Sequence, residues 1–471
     1  MDWSRQRAAW TIASVGLALG LVLLGIVARS GKPARIRSLA VLPFENLSHD
    51  PEQDFLSAGV TGELTAAVSR IPTLRVLSAA PADAVLEGSV TRSGEDVHID
   101  ARLIESNGRK QLWSGSYQRT LRVLPGAEAE IAQKIAGAVH APLTLKTRPI
   151  NPEAYELYLK GQFSRAQDGE EPARRGIRYF EQAIEKDPGY APAHAGLALA
   201  YAGLSSVYAP PREAMPKAKA AAMKALALDD TLPDAHIALA SVHLYFDWDW
   251  PGAEAELKRA LELNPSSAQA HDLYGMYFAA LQRFDPAVTE LRTARDLDPA
   301  SLRVYADLLF TLVTAGRYDE AIRESRAALQ REPKFAAAYE WMGMAYAQQR
   351  RFAEAIGALE KAHQLDPNSE IALFLGQVQA LAGNRTEAEK LVHQIEAAAK
   401  QRYVCKYEIA QVYTSLGQKD QAFQWLKRGA DEQADCMVWL RSEPWNDPLR
   451  TDPRYTELLK RVGLSSPAAA R

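Results

Sequence analysis

Three patterns of apolar and polar positions follow one another along the chain. From Trp10 to Ala28 the run WTIASVGLALGLVLLGIVA carries no charge, and at the helical rise about nineteen residues span the hydrocarbon layer of a bilayer. A transmembrane helix is predicted over 10–28; the competing reading, a cleaved signal peptide, would need an unusually long apolar core. Short apolar runs come next. Ser38–Phe44 reads as a buried strand. Asp50-Pro51-Glu52-Gln53 opens a helix with an N-cap acid and a proline in the first turn, and Leu56, Val60, Leu64 and Val68 follow at helical spacing. Arg75–Ser78 reads as a second strand and Ala84–Arg92 as a third. Beyond Ser93-Gly94, Val97, Ile99, Ala101 and Leu103 alternate with His98, Asp100 and Arg102, the period of a half-buried strand. Asn107-Gly108 then turns the chain into Gln111–Arg119, and Ile131, Ile135 and Val139 predict a closing helix over 124–141. The result is a small mixed α/β unit over 38–145.

The third pattern is a repeat. Pro265, Pro299, Pro333 and Pro367 recur every 34 residues, the length of a helix–turn–helix unit that cannot bury its apolar face alone. Between Pro333 and Pro367, Tyr339, Met342, Gly343 and Tyr346 lie on a first helix and Phe352, Ala355, Leu359 and Ala362 on a second. Small Gly343 and Ala355 let the two helices approach closely. This arrangement resembles the tetratricopeptide repeat. The same slots recur at Tyr305 and Leu308, at His271 and Gly275, and upstream near Asn151, Pro188 and Asp230, predicting a mainly α solenoid of about eight helix pairs over 146–430. The closing segment 431–471, with Trp439, Trp445, Leu449, Tyr455 and Leu458, is expected to cover the solenoid's exposed end.

The stretches SLAVLPFENLS, DFLSAGVTGELTAAVSRIPTLRVLS, DAVLEGSVTRSGEDVHIDARLIE and LWSGSYQR resemble the amino-terminal domain of TolB and its relatives, as found in membrane-bound bacterial regulators. The resemblance implies a sheet-and-helix domain of that type and a place in the bacterial inner membrane, single-pass, with the bulk of the chain in the periplasm. The charge count around 10–28 points the other way: Arg29, Lys32, Arg35 and Arg37 follow the apolar run, against Arg5 and Arg7 before it. One departure from the TolB pattern concerns the few residues between Leu77 and Ala84, because a parallel crossover needs about a dozen residues or more. Either a strand pairing has changed there or the domain is eroded. Related regulators carry a winged-helix, cyclase or kinase domain across the membrane, whereas residues 1–9 form only a short tail here and 29–37 a basic linker.

Composition narrows the function. A net charge of −3 offers no overall pull toward nucleic acid. The two cysteines, Cys405 and Cys436, are read as isolated thiols of one helical region, with pairing as the alternative in an oxidising compartment. No nucleophile–base constellation, phosphate loop or metal-ligand spacing is legible, so no catalytic, cofactor or metal site is expected and the chain reads as a non-enzyme. Tyr155, His194, His236, His271, Tyr305 and Tyr339 occupy one large-residue slot in successive repeats and are read as packing residues, since repeats stand too far apart to share a metal. Offset from them, Leu199, Leu244, Met276, Phe310, Val313 and Met344 are the candidate lining of a concave groove for an apolar or amphipathic peptide; cover by a tight superhelix or by the α/β domain is the competing reading. Gly16 and Gly20 form a GxxxG spacing through which two transmembrane helices would dimerise. The expected function is a membrane-tethered protein–protein interaction scaffold, with signal transduction through a partner regulator as the alternative.

Overall fold

The computed structural model describes residues 36–107, 110–143, 149–167, 169–205, 208–367 and 369–465. The predicted membrane helix 10–28, with Gly16 and Gly20, lies outside them. Among the described residues no helix is long and apolar enough to cross a membrane.

The sheet region begins where the apolar runs place it. Strands β1 (Ser38–Val41), β2 (Glu45–Asn46), β3 (Arg75–Leu77), β4 (Ala84–Ser93), β5 (Asp96–Glu105) and β6 (Gln111–Thr120) form one sheet in the order β3-β1-β4-β5-β6, with β2 beside β4. β1 runs parallel to both β3 and β4, and β4, β5 and β6 are antiparallel neighbours. The alternating residues Val97, Ile99, Ala101 and Leu103 of β5 are all buried, as a two-residue period demands. They pack under α1 (Asp54–Ser69) and α2 (Leu124–Ala138), which bury Leu56, Val60, Leu64 and Val68 and Leu124, Ile131 and Ile135 respectively. The Asp50 carboxylate accepts from the Glu52 amide at 3.0 Å, capping the single tight turn that leads into α1.

The short connection between β3 and β4 is real, and both strands are still parallel to β1. They lie on opposite sides of it: Leu77 pairs with Ala40, and Ala84 with Leu39. With only three residues in β3, the chain need drop back just past the start of β1, and residues 78–83 suffice without a helix. The crossing point is pinned at Ser38, whose amide donates to Asp83 Oδ2 at 3.0 Å while the Asp83 amide donates to Ser38 Oγ at 2.8 Å. The outer edge of β3 is closed by the repeats. Val76 N donates to Ser266 Oγ at 3.0 Å, Ser78 N to the Leu297 carbonyl at 2.9 Å, and Ser78 Oγ to Asp298 Oδ1 at 2.7 Å. An exposed strand edge is a liability for aggregation, and here other parts of the chain cover it.

Eight helix hairpins follow: α3 (Pro152–Arg165) with α4 (Glu170–Lys186), α5 (Ala191–Leu204) with α6 (Pro211–Leu228), α7 (Pro233–Val242) with α8 (Trp250–Leu263), α9 (Ala268–Ala280) with α10 (Phe284–Leu297), α11 (Leu302–Thr314) with α12 (Tyr318–Arg331), α13 (Ala336–Gln348) with α14 (Phe352–Leu365), α15 (Ser369–Leu381) with α16 (Arg385–Ala398), and α17 (Lys406–Ser415) with α18 (Lys419–Asp431). A last helix, α19 (Pro453–Arg461), follows two short turns at Asp435–Trp439 and Pro444–Leu449. Glycine allows the close approaches. A Cβ on Gly161 or Gly196 would stand 2.7 and 2.5 Å from the ring of fully buried Phe180, which fills the space between α3 and α5. Gly343 meets Leu359 in the same way.

The large-residue slot is more polar than a packing role requires. His194, His236 and His271 each reach the carbonyl six residues earlier, at Pro188, Asp230 and Pro265, over 3.0, 3.0 and 3.1 Å. The imidazole thus ties the inter-repeat turn to the helix that follows it. His236 and His271 also meet Glu256 and Glu290 across the hairpin at 2.5 Å. Burial opposes charging of His236, but Glu256 and the Asp230 carbonyl outweigh it and raise its pKa. Among the described residues His194 meets no such carboxylate, and burial lowers its pKa. At Tyr305 the turn carbonyl of Pro299 is taken instead by Arg331, which also bonds the tyrosine hydroxyl. Tyr155 is fully buried and Tyr339 half-buried.

Two expectations change in the last third of the chain. Cys405 and Cys436 are joined in a disulfide, their Cα atoms 6.8 Å apart, rather than standing as isolated thiols. The closing segment does more than cover the end of the solenoid. α19 packs on α18, burying Tyr455 and Leu458, but the turns before it run back along the repeats. Trp250 Nε1 donates to the Val462 carbonyl at 2.8 Å, Gln282 Nε2 to the Arg441 carbonyl at 3.1 Å, and Gln433 Nε2 to the Phe246 carbonyl at 3.3 Å.

Candidate functional site

Because the closing segment returns to α7–α10, it lies along the first helices of the hairpins, where the groove was expected. Trp439 packs edge-on against Phe310 with ring centroids 4.8 Å apart and against Tyr245 at 6.4 Å. Trp445, Leu440 and Leu449 are buried among the same helices. Leu199, Leu244, Met276, Phe310, Val313 and Met344 are accordingly all buried, none more than 7% exposed. Most of that row is therefore core, not a free surface: the superhelix is tight and the chain's own tail fills part of its hollow. Only Met276 and Phe310 of the six still reach an open space.

That space is a cavity of about 450 Å³ between the first helices of the later hairpins and the closing segment. Phe310 of α11, Trp341 of α13 and Phe374 of α15 form a row of edge-to-face rings, 5.1 and 5.4 Å between centroids, and Trp439 completes it from the other side. Edge-to-face geometry is the favoured packing of such rings. The far wall is the start of α17, with Tyr403, Tyr407, Glu408 and Gln411, and the disulfide lies in the same wall. Six carboxylates border the cavity: Asp307, Glu340, Asp366, Glu408, Asp435 and Glu443. Among the described residues no lysine, arginine or histidine does.

Two of these acids have evident structural duties. Glu443 is buried and accepts from the Tyr407 hydroxyl, the Gln411 amide and, at 2.7 Å, Trp445 Nε1, so it clamps the closing segment to α17. Asn446 extends the clamp by donating to the Tyr407 hydroxyl at 2.7 Å. Burial and the Glu443 charge push the Tyr407 pKa up. Asp307 faces Arg303, which reaches it at 3.3 Å and the wholly buried Asp272 at 2.6 Å. Burial first, then the neighbouring Asp272, pushes the Asp307 carboxyl well above the usual range despite that arginine. The Tyr403 hydroxyl is buried and has no hydrogen-bond partner among the described residues. Its pKa is raised by burial and by Asp435, Glu408 and Glu432.

Among the described residues no group of three or more His, Cys, Asp or Glu side chains is placed to hold a metal ion. His194, His236 and His271 stay in separate hairpins. Of the cavity's defining residues, sequence reasoning singled out Met276 and Phe310, and missed Trp341, Tyr403, Glu340 and Glu408. Trp439 was read as end cover. A tryptophan and four acids on one solenoid face carry no periodic signal until the tail's path is known.

The repeat geometry agrees with the comparison to known families. Tetratricopeptide repeat models match residues 247–301, 311–370 and 346–404. These residues are built of tetratricopeptide repeats. Within the repeat protein, 232 residues are 28% identical to a putative adenylate cyclase 3 of Rhizobium meliloti (strain 1021), a match over 43% of this chain and 39% of that relative. The chain thus spans well under half the length of that curated relative. Among solved structures, a YrrB described as a tetratricopeptide repeat protein with an unusual peptide-binding site shares 25% identity over 41% of this chain and 95% of its own, with a TM-score of 0.30. PilW, a type IV pilus biogenesis factor, shares 18% over 47% of this chain and 97% of its own, with a TM-score of 0.38.

Proposed function

We propose that this repeat protein is a non-enzymatic scaffold, tethered to the bacterial inner membrane through residues 10–28 with its bulk in the periplasm, that holds a protein partner on the inner side of its solenoid. Tetratricopeptide repeats mediate protein–protein interaction, and the observation that carries the reading here is the open cavity left between the later hairpins and the closing segment. The contact surface is smaller than a groove running the length of the repeats, because the tail occupies the rest. The sheet region, read as a TolB-like domain, serves as the spacer between membrane and solenoid.

A photo-crosslinking side chain at Ala337, which lines the cavity, tests this in the full chain within its native membrane. A discrete adduct is expected there and none from the exposed position Met223 on α6. Equal labelling at both, or none at Ala337, would sink the scaffold reading. Protease treatment of intact and permeabilised spheroplasts, following a tag after Arg471, tests the tether and its orientation: digestion before permeabilisation is expected. A second reading, a non-catalytic signalling component acting through a partner regulator, is favoured by the stretch shared with the putative adenylate cyclase; an adduct that proves to be a cyclase, kinase or DNA-binding protein would select it.

A further inference from the structure

We propose that β6 is a dimerisation edge, which pairs antiparallel with β6 of a second copy of this chain about a two-fold axis at Ser116. The sheet treats its two edges differently. The three-residue β3 is covered by repeats, whereas the ten-residue β6 is the last strand on the other side. Pairing with β5 fixes which of its groups stay open. Leu121 N donates to the Glu95 carbonyl at 3.2 Å, and Tyr117 stands opposite Ile99. Odd-numbered residues therefore exchange bonds with β5, and Ser114, Ser116, Gln118 and Thr120 turn their N–H and C=O groups outward. Among the described residues no backbone bond joins these outward groups to another segment. The Gln118 carbonyl accepts from the Arg119 side chain at 3.0 Å.

Little in the strand opposes pairing. Edges that avoid association carry lysine, proline or inward-pointing charge; residues 111–120 hold no lysine, no proline and a single charge, Arg119. Ser114, Ser116 and Gln118 are exposed. The irregular register at Leu103/Ile104 is confined to the Gln111 end. The residues also favour a second copy over a foreign strand. Outward groups meet outward groups in the two-fold register centred on Ser116, which keeps clear of that irregular end. It sets Ser114 against Gln118, Gly115 against Tyr117 and Trp113 against Arg119, each pair twice. No like charges meet. Arg119 gains a ring face, and an aromatic residue opposite an edge glycine is a stabilising cross-strand pair. Within one chain a Cβ on Gly115 would stand 2.7 Å from both the Trp113 and the Tyr117 ring, so the strand's centre accepts close neighbours only because it has no side chain there. One strand pairing is smaller than a standard stable interface, so reversible association in the micromolar range is expected. The inference depends neither on the scaffold reading nor on the tether.

Sedimentation of the purified full chain in detergent, over a concentration series, measures the association. Ser116→Pro removes a donor that the two-fold axis uses twice, and proline is tolerated where an edge N–H faces solvent. Self-association should weaken at least about tenfold. Ser116→Cys brings two thiols onto backbones about 5.5 Å apart between Cα atoms, within disulfide reach. Mild oxidation in the native membrane should then give a homodimer on a non-reducing gel, and Met223→Cys, at an exposed position on α6, should not. A monomer at every concentration up to about 100 μM, association that Ser116→Pro leaves unchanged, or equal crosslinking at the two positions overturns the proposal. An adduct of the Ser116→Cys variant with a different protein also overturns it and gives the edge to a partner's strand. Should Ser116→Pro fail to fold, wild-type sedimentation and the cysteine crosslink decide.

Discussion

The chain covers its own open surfaces in two places, and it does so with different chemistry. At the sheet, the edge of β3 and the outer faces of α1 and α2 are covered by repeats through scattered polar bonds: Val76 to Ser266, Ser78 to Leu297 and Asp298, Tyr158 to Glu63 at 2.8 Å, and Tyr155 to Glu128 at 2.6 Å. Inside the solenoid, the closing segment is covered by apolar and aromatic contacts around Leu440, Leu449, Trp445 and Tyr455, with the Glu443 clamp and a disulfide in addition. Net stabilisation per polar bond is small, whereas apolar burial accumulates. The first junction should therefore respond to charge and to separation of the parts, and the second to cavities and to reduction.

Separation should produce the largest effect. A fragment of residues 38–143 would expose the β3 edge and lose the helix α3 that packs against α1, where a Cβ on Gly59 would already stand 2.7 Å from Leu159. Its urea unfolding is expected to be non-cooperative, whereas the full chain should unfold with a defined transition at the sheet. A sharp transition in the fragment would mean that the repeats merely touch the sheet and do not complete it.

Within the solenoid, Leu449→Ala removes a fully buried side chain from the tail and should cost about 2–5 kcal/mol. The same loss in the full chain should leave the sheet's transition unchanged if the two junctions are independent. Replacing both cysteines with serine opens a loop of 31 residues in the unfolded chain and should cost about 2–4 kcal/mol under oxidising conditions and close to nothing in dithiothreitol. Equal denaturation midpoints for wild type and the double variant without reductant would place the closing segment's stability entirely in its apolar contacts.

The contrast also separates what the sequence makes legible from what it hides. The repeats could be read because each apolar position has a local period: Gly343 and Leu359 meet within one hairpin, and the prolines count out the next. The sheet's β5 could be read for the same reason. The path of β3 into β4 could not, since it depends on Asp83 meeting Ser38 and on Ser78 meeting Leu297, bonds between residues with no common periodicity. The candidate site suffered most. Leu244, Val313 and Met344 have the offset expected of groove residues, but whether an offset position faces solvent depends on superhelix curvature and on where Trp439 ends up. Neither leaves a trace in local spacing. The histidine slot was legible as a slot, yet its bonds to turn carbonyls at Pro188, Asp230 and Pro265 were not.

The smallest expected effect tests the polar junction through pH. Glu128 is buried between the sheet and α3; its Oε2 accepts from Tyr155, and its Oε1 has no hydrogen-bond partner among the described residues. Burial, then the nearby Glu63 charge, raises its pKa well above 4.5, with the Tyr155 hydroxyl opposing. Glu63 is raised too, by burial first, with Asp234 adding to the shift and Tyr158 and Arg70 countering it. A carboxyl raised in the folded state binds its proton more tightly there than in the unfolded chain. Its contribution to stability is fully present below the unfolded value and is lost as pH rises through the folded one, so this junction should weaken from mild acid toward neutral and alkaline pH. Glu128→Gln keeps the shape and removes the charge. It should be nearly neutral at pH 5 and stabilising by on the order of 1 kcal/mol at pH 8, and the variant's urea midpoint should fall less steeply with pH than that of the wild type. Parallel curves for the two proteins would show that Glu128 keeps the same charge folded and unfolded, and would leave Tyr158–Glu63, Arg92–Glu156 and the β3 edge bonds to account for the polar hold of the repeats on the sheet.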